Sequence, residues 1–290
     1  MQNKKMYFPC VILSIVMVFL IIALHILLLF KYEVMSGNAF SKAIDSENIP
    51  SVVYNYLNDY FEEQYNSTGI PTDIYMQSLT EDDISNIVNN SVNNALEYMS
   101  NKDDSFNIDY DFSNLETSLN DFFVEYAQSI DYPQDDEFYS KVESTTNNAI
   151  SVIKEKCDVF KFSTINDTGL FDNVRKYYHY IDYVQYALIG AIIILILILI
   201  LLNRKYILDC IYWLCNSISI SSILMLIPCI YIKSTDYFSS FSIKTAGTYN
   251  AVTGLLNGLT DTYITTLIIT LAIGLIGVVI TLVTLKKRST

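Results

Sequence analysis

One tryptophan, two histidines and five cysteines in 290 residues leave little of the usual catalytic and metal-binding side chains. The histidines, His25 and His179, have no Cys-x-x-Cys-His sequence beside them, so covalent haem attachment is excluded and no third metal ligand is in view. Four of the cysteines, Cys10, Cys210, Cys215 and Cys229, fall in or beside apolar runs. Cys157 is therefore alone in the long polar segment, and no disulfide can close within it. Secreted eukaryotic domains use such bridges freely, so their absence points to a bacterial envelope. Glycine and proline are also sparse in residues 31–182, with three of each, which excludes a loop-rich or turn-rich domain there.

What the chain does have is apolar length. Residues 183–202 are 20 positions without a formal charge, about the 30 Å of a bilayer's hydrocarbon core in helical form. The tetrapeptide NRKY (203–206) interrupts the run, and 207–232 is apolar enough to cross back. Segments 8–30 and 263–285, 23 residues each, read as two further spans. The first is too long for a signal-peptide core and lacks a small-x-small cleavage site, so it is expected to be retained.

Four spans divide the chain into a short tail (1–7), a large segment (31–182), a turn (203–206), a loop with room for an interfacial helix (233–262) and a second tail (286–290). Seven basic residues, Lys4, Lys5, Arg204, Lys205, Lys286, Lys287 and Arg288, cluster on one side of this arrangement. The excess of Lys and Arg in short loops marks the cytoplasmic side. Both termini are thus expected in the cytoplasm and residues 31–182 outside it, in a multi-pass protein of the cell membrane.

Residues 31–182 hold 28 of the 31 acids and 9 of the 18 basic residues, a formal −19 against −13 for the whole chain. Such a surface repels phosphate backbones, which excludes nucleic acid as a partner. Apolar residues recur here at helical spacing. Val53, Leu57 and Phe61 form one stripe after Pro50. Thr80 caps a second helix carrying Ile84, Ile87, Val88, Val92, Ala95 and Met99. Leu115, Leu119, Phe122, Phe123 and Tyr126 make a third stripe, and Phe138, Val142, Ala149, Ile153 and Cys157 a fourth. The fold class is therefore all-α: a four-span integral membrane protein with an extracytoplasmic bundle of four or five helices between spans 1 and 2. Five tyrosines from Tyr177 to Tyr186 stand at the outer end of the second span as an interfacial belt.

Chemistry is thin. Ser151-Val-Ile-Lys154 matches one penicillin-interactive motif, but its companions are missing. DDSFNIDYD (103–111) lacks the glycine and closing glutamate of a tight calcium loop, which leaves weak divalent-cation binding at most. Asp209, one turn after Lys205, reads as an interfacial ion pair. Gly254 and Gly258, then Gly274 and Gly277, read as sites of close helix packing. No catalytic, cofactor-binding or metal-binding residues are assigned, and no enzyme is expected.

Claudin-like proteins share four spans and a large first external loop, but their cysteine pair and tryptophan motif are missing, since Trp213 lies inside the third span. The topology also resembles that of macrolide-exporter-type ABC permeases, which implies a permease or accessory subunit of a transport complex as the alternative function. The first expectation is a membrane-anchored extracytoplasmic binding, sensing or assembly protein. It would act in the lipid bilayer through another membrane or envelope protein.

Overall fold

A computed structural model describes the backbone of residues 4–204 and 207–289 and the side chains of 7–204 and 207–284. In chain order the helices are α1 (Lys4–Leu29), α2 (Asn38–Ser46), α3 (Ile49–Thr68), α4 (Thr72–Met76), α5 (Glu81–Met99), α6 (Ser113–Ser129), α7 (Asp136–Cys157), α8 (Phe162–Asp167), α9 (Leu170–Tyr178), α10 (Tyr180–Leu202), α11 (Ile207–Ser234) and α12 (Ala246–Ser289). A π-helical turn, Phe30–Val34, follows α1, and a 3-10 turn, Tyr237–Ser240, follows α11. No strand occurs among the described residues.

Four helical segments are long and apolar enough to cross a membrane: Tyr7–Val34, Tyr180–Leu202, Ile207–Ser234 and Ala246–Thr284. The protein is thus all-helical with four candidate spans, a multi-pass membrane protein. In a bilayer only a helix or a closed barrel satisfies every backbone polar group, and the sequence takes the first solution four times.

The chain divides into two compact units. The first comprises Met1–Asn38, Tyr177–Phe241 and Leu256–Thr290. Within it α1 packs against both α10 and α11, burying Cys10, Met17 and Ile21 with Leu199, Cys210 and Trp213. A second cluster joins Leu226 of α11 to Tyr263 and Leu267 of α12. Polar contacts cross the same seams. Ser14 and Ser217 share a hydrogen bond of 2.6 Å, and Ser222 and Thr270 one of 2.9 Å.

At Gly274 α11 and α12 approach closely. A Cβ there would press on the Ser219 hydroxyl and lie 3.0 Å from the Cys215 carbonyl and 3.0 Å from the Ser219 nitrogen. One at Gly277 would press on the Cys215 sulfur. Small residues let helices approach in lipid because packing, not water exclusion, drives their association there. Gly258 has only open space around its Cβ position, so of the Gly254–Gly258 pair only Gly254 is a site of close approach.

Ion pairs tie neighbouring elements of this unit. Lys31 donates to Asp182 at 2.5 Å and to Gln185 at 2.8 Å, and Lys233 pairs with Asp261. The Asn203 side chain of the interhelical turn is buried, donating to Leu199 O at 2.9 Å and to Cys10 Sγ at 3.4 Å. Lys205 and Tyr206 lie outside the described residues, and with them the expected Lys205–Asp209 pair. Tyr177, Tyr180, Tyr183 and Tyr186 are exposed where α10 begins.

The second unit comprises Ala39–Lys176 and Ser242–Leu255. Its long helices are α3, α5, α6 and α7, on the four stripes named above, and α2, α4, α8 and α9 are short additions. Their local signals are explicit. Pro50 opens α3, and Gly69, at φ 69°, closes it in the left-handed conformation while donating to Tyr65 O at 2.8 Å. Thr80 and Asp83 form a reciprocal cap at the start of α5. Ile49, Leu57, Ile84, Ile87, Leu115, Leu119, Ile153 and Phe171 are fully buried.

Residues 233–262, expected as a loop with room for a helix, contain a short 3-10 turn and the first part of a long helix. Helix α12 starts at Ala246 and runs for 44 residues, about 66 Å. Its first turns carry glycine, threonine and asparagine, which weaken the helical signal. They form because small residues fit closely: a Cβ at Gly247 would sit 3.3 Å from Val53 and 3.5 Å from Val159, and one at Gly254 would sit 2.5 Å from Glu47 Cγ. Segments 39–176 and 242–255 thus share one unit and are separated in sequence by two spans, as a transmembrane hairpin requires.

Candidate functional site

A polar cleft of about 420 Å3 opens in the second unit where α7, the turn after it, α8 and the segment before α6 meet. Helix α7 supplies Ser151, Lys154 and Glu155 at its C-terminal end. The chain then turns sharply through Asp158–Lys161, with Lys161 left-handed at φ 57°. That conformation costs a non-glycine residue of order 1 kcal/mol and persists only where its surroundings fix it.

The surroundings here are Asp158. Its carboxylate, 4% exposed, accepts from Phe162 N at 2.8 Å and from Ser163 N at 3.0 Å. Buried aromatic packing holds the same corner: Phe160 and Phe162 lie against Phe40, at 5.0 and 5.5 Å between ring centroids. The turn thereby presents Lys161, Ser163, Thr164 and Asn166 to the cleft across from Lys154.

The charges in this cleft are not equivalent. Asp158 is occupied by two backbone N–H groups, and Glu155 pairs with Lys156 at 3.0 Å. Lys154 lies over the Phe112 ring, 5.6 Å from its centroid. Neither Lys154 nor Lys161 has a carboxylate partner among the described residues. Asp167 also lines the cleft, so two lysines stand there against three acids, and among these five groups the two ammonium groups are without a carboxylate partner. Hydroxyls of Ser151, Ser163 and Thr164 and the amides of Asn107 and Asn166 line the same space. Such a set can hold a small anion by charge-assisted hydrogen bonds.

Ser151 and Lys154, read from the sequence as a chance motif, both line the cleft, with no hydrogen bond between them. Lys161, Ser163 and Asn166 were not legible as site residues. Their one sequence signal is the short polar stretch KFSTIND following the end of the fourth stripe.

Three of the four acids of 103–111 are engaged separately. Asp104 takes Arg175 at 3.2 Å, Asp103 accepts from Asp104 N at 2.6 Å, and Asp111 accepts from Ser113 N at 3.0 Å. No group of three His, Cys, Asp or Glu residues able to hold a metal occurs among the described residues. The His25 ring nitrogen Nδ1 is buried without a hydrogen-bond partner, and the His179 ring lies tilted against Tyr180, 3.8 Å between centroids.

A second concavity, about 260 Å3, lies between α6 and α7 and is mainly apolar, with Phe123, Ala127, Ile130, Tyr132, Phe138 and Val142. Exposed acids flank it at Asp131, Asp136 and Glu137. No family model, curated protein or solved structure matches this chain.

Proposed function

We propose that the protein is a membrane-anchored binding and sensing protein whose helical domain, held outside the cytoplasm, takes a small carboxylate- or phosphate-bearing solute in the cleft around Lys154 and Lys161. The observation that carries this reading is the pair of lysines left without carboxylate partners in a strongly acidic domain, beside Asp158 and Glu155, which are already engaged. Both lysines are only partly buried, and a ligand anion supplies the charged partner that the chain does not.

The orientation rests on the seven basic residues of the tails and the NRKY turn. Lys31 and Lys233, near the opposite ends of their spans, are each paired with an aspartate and so contribute less net positive charge there. Output would pass through another membrane protein. Helix α12 belongs to both compact units, its first turns to the domain and its remainder to the spans, which gives ligand binding a covalent route to the membrane.

The test is binding of inorganic phosphate and of succinate to the full chain in nanodiscs, read by calorimetry and by thermal shift. One of the two should raise the melting temperature by preferential binding to the folded state. Lys154→Gln and Lys161→Gln should each weaken that binding about tenfold or more, with the unliganded melting temperature little changed. Absence of binding by both probes, or equal binding by the double variant, would remove the anion cleft from the account.

A further inference from the structure

The spans carry a feature that ligand binding does not use. A groove of about 330 Å3 runs between α1 and α11, with Ser14, Ile15 and Phe19 on one side and Trp213, Asn216 and Leu224 on the other. Asn216 is the tenth residue of α11, about 14 Å along the helix axis from its start, and so near the middle of a 30 Å hydrocarbon core.

Most polar side chains around it are satisfied within the chain. Ser14 and Ser217 bond to each other, Ser219 donates to Cys215 O, and Ser222 donates to Ile218 O. The half-buried Asn216 amide has no hydrogen-bond partner among the described residues. Trp213, in the same groove and 6% exposed, has its indole Nε1–H buried without an acceptor. The Trp213 N–H is out of reach from the groove, but the Asn216 amide is accessible and at this depth calls for an occupant with hydrogen-bonding groups of its own, because an acyl chain offers none.

We propose that the occupant is a second copy of this chain, packed about a two-fold axis so that the Asn216 amides of the two copies bond reciprocally. An amide carries both a donor and an acceptor and is therefore its own complement, whereas a lone hydroxyl-free cation or carboxylate is not. The apolar shape repeats the same self-complementarity. Asn216, Ile220 and Leu224 form a ridge at four-residue spacing on α11, and Val11, Ile15 and Phe19 one on α1. Each copy thus offers both ridge and groove, as an isologous helix interface requires. Ile15 and Phe19 are 52% and 64% exposed in the single chain, and Leu224 48%, leaving room for that contact.

Oxidative crosslinking in native membranes tests this, in a chain whose five cysteines are replaced. Ile220→Cys should give a covalent dimer of twice the chain's mass. Ile193→Cys, on the exposed face of α10, should give at least tenfold less. Asn216→Leu added to Ile220→Cys should lower the dimer yield about three- to tenfold, and Asn216→Gln, which keeps the amide, should restore most of it. Yield at 220 no higher than at 193, a crosslinked product of another mass, or a yield indifferent to Asn216→Leu would each overturn the proposal. If Asn216→Leu does not fold, the comparison of 220 with 193 in the chain with Asn216 intact still decides.

Discussion

Tyr110 donates a 2.6 Å hydrogen bond to Asp83, tying the segment before α6 to the first turn of α5. Burial pushes the Asp83 carboxyl up, but bonds from Tyr110, the Thr80 hydroxyl and the Thr80 N–H outweigh it and hold the group below its ordinary 3.8. A carboxyl depressed in the folded state contributes stability above its unfolded value and loses it as pH falls through the folded one. Tyr110→Phe should therefore lower stability at pH 7 by about 1 kcal/mol, less than usual for a bond to a charged group because water reaches the pair. Thermal melts at descending pH should show this difference shrinking below 3.8. A difference independent of pH would mean that the bond stabilises without its charge.

Cys157 is 1% exposed, and burial, with Asp158 adjacent, pushes its thiol up to about 12. The thiolate is the nucleophile, so this cysteine should be inert while the domain is folded. Maleimide labelling of Cys157, in a chain with the other four cysteines replaced, should be slow in native conditions and complete in denaturant. Reductant should not change the melting temperature. Rapid native labelling would show that the end of α7 opens.

At Gly274 the atoms a Cβ would meet include backbone, the Cys215 carbonyl and the Ser219 nitrogen, which cannot rotate away as a side chain can. Gly274→Leu should separate α11 from α12 and lower the thermal stability of the full chain by about 2 kcal/mol or more, within the range for overpacking. Gly258→Ala, at open space, should be neutral or slightly stabilising through helix propensity. Equal effects at the two glycines would contradict the close crossing.

The spans and the long helices were legible because they are written in length and period. Val53, Leu57 and Phe61 recur every four residues and are all buried, and the Thr80 cap and the Gly69 stop act where the sequence puts them. The start of α12 was not legible. Its first turns carry no apolar stripe of their own, and what stabilises them is contact with Val53, Val159 and Glu47, far away in sequence. The cleft was hidden for the same reason. Lys154 and Lys161 stand out because neither has a carboxylate partner while Asp158 and Glu155 are taken by other groups, and no spacing rule records which acid is occupied. Asn216 stood unremarked beside Ser217, since only the fold separates the satisfied side chain from the unsatisfied one.

The account stands on the domain facing away from the cytoplasm, and accessibility of single cysteines tests that most directly. Arg204 and Gln128 are both exposed and serve as the two probes, in a chain freed of its five native cysteines. In intact cells an impermeant thiol reagent should label Gln128→Cys and spare Arg204→Cys until the membrane is permeabilised. The reverse pattern, Arg204→Cys labelled and Gln128→Cys protected, would put the acidic domain and its lysine cleft in the cytoplasm and contradict the proposed function.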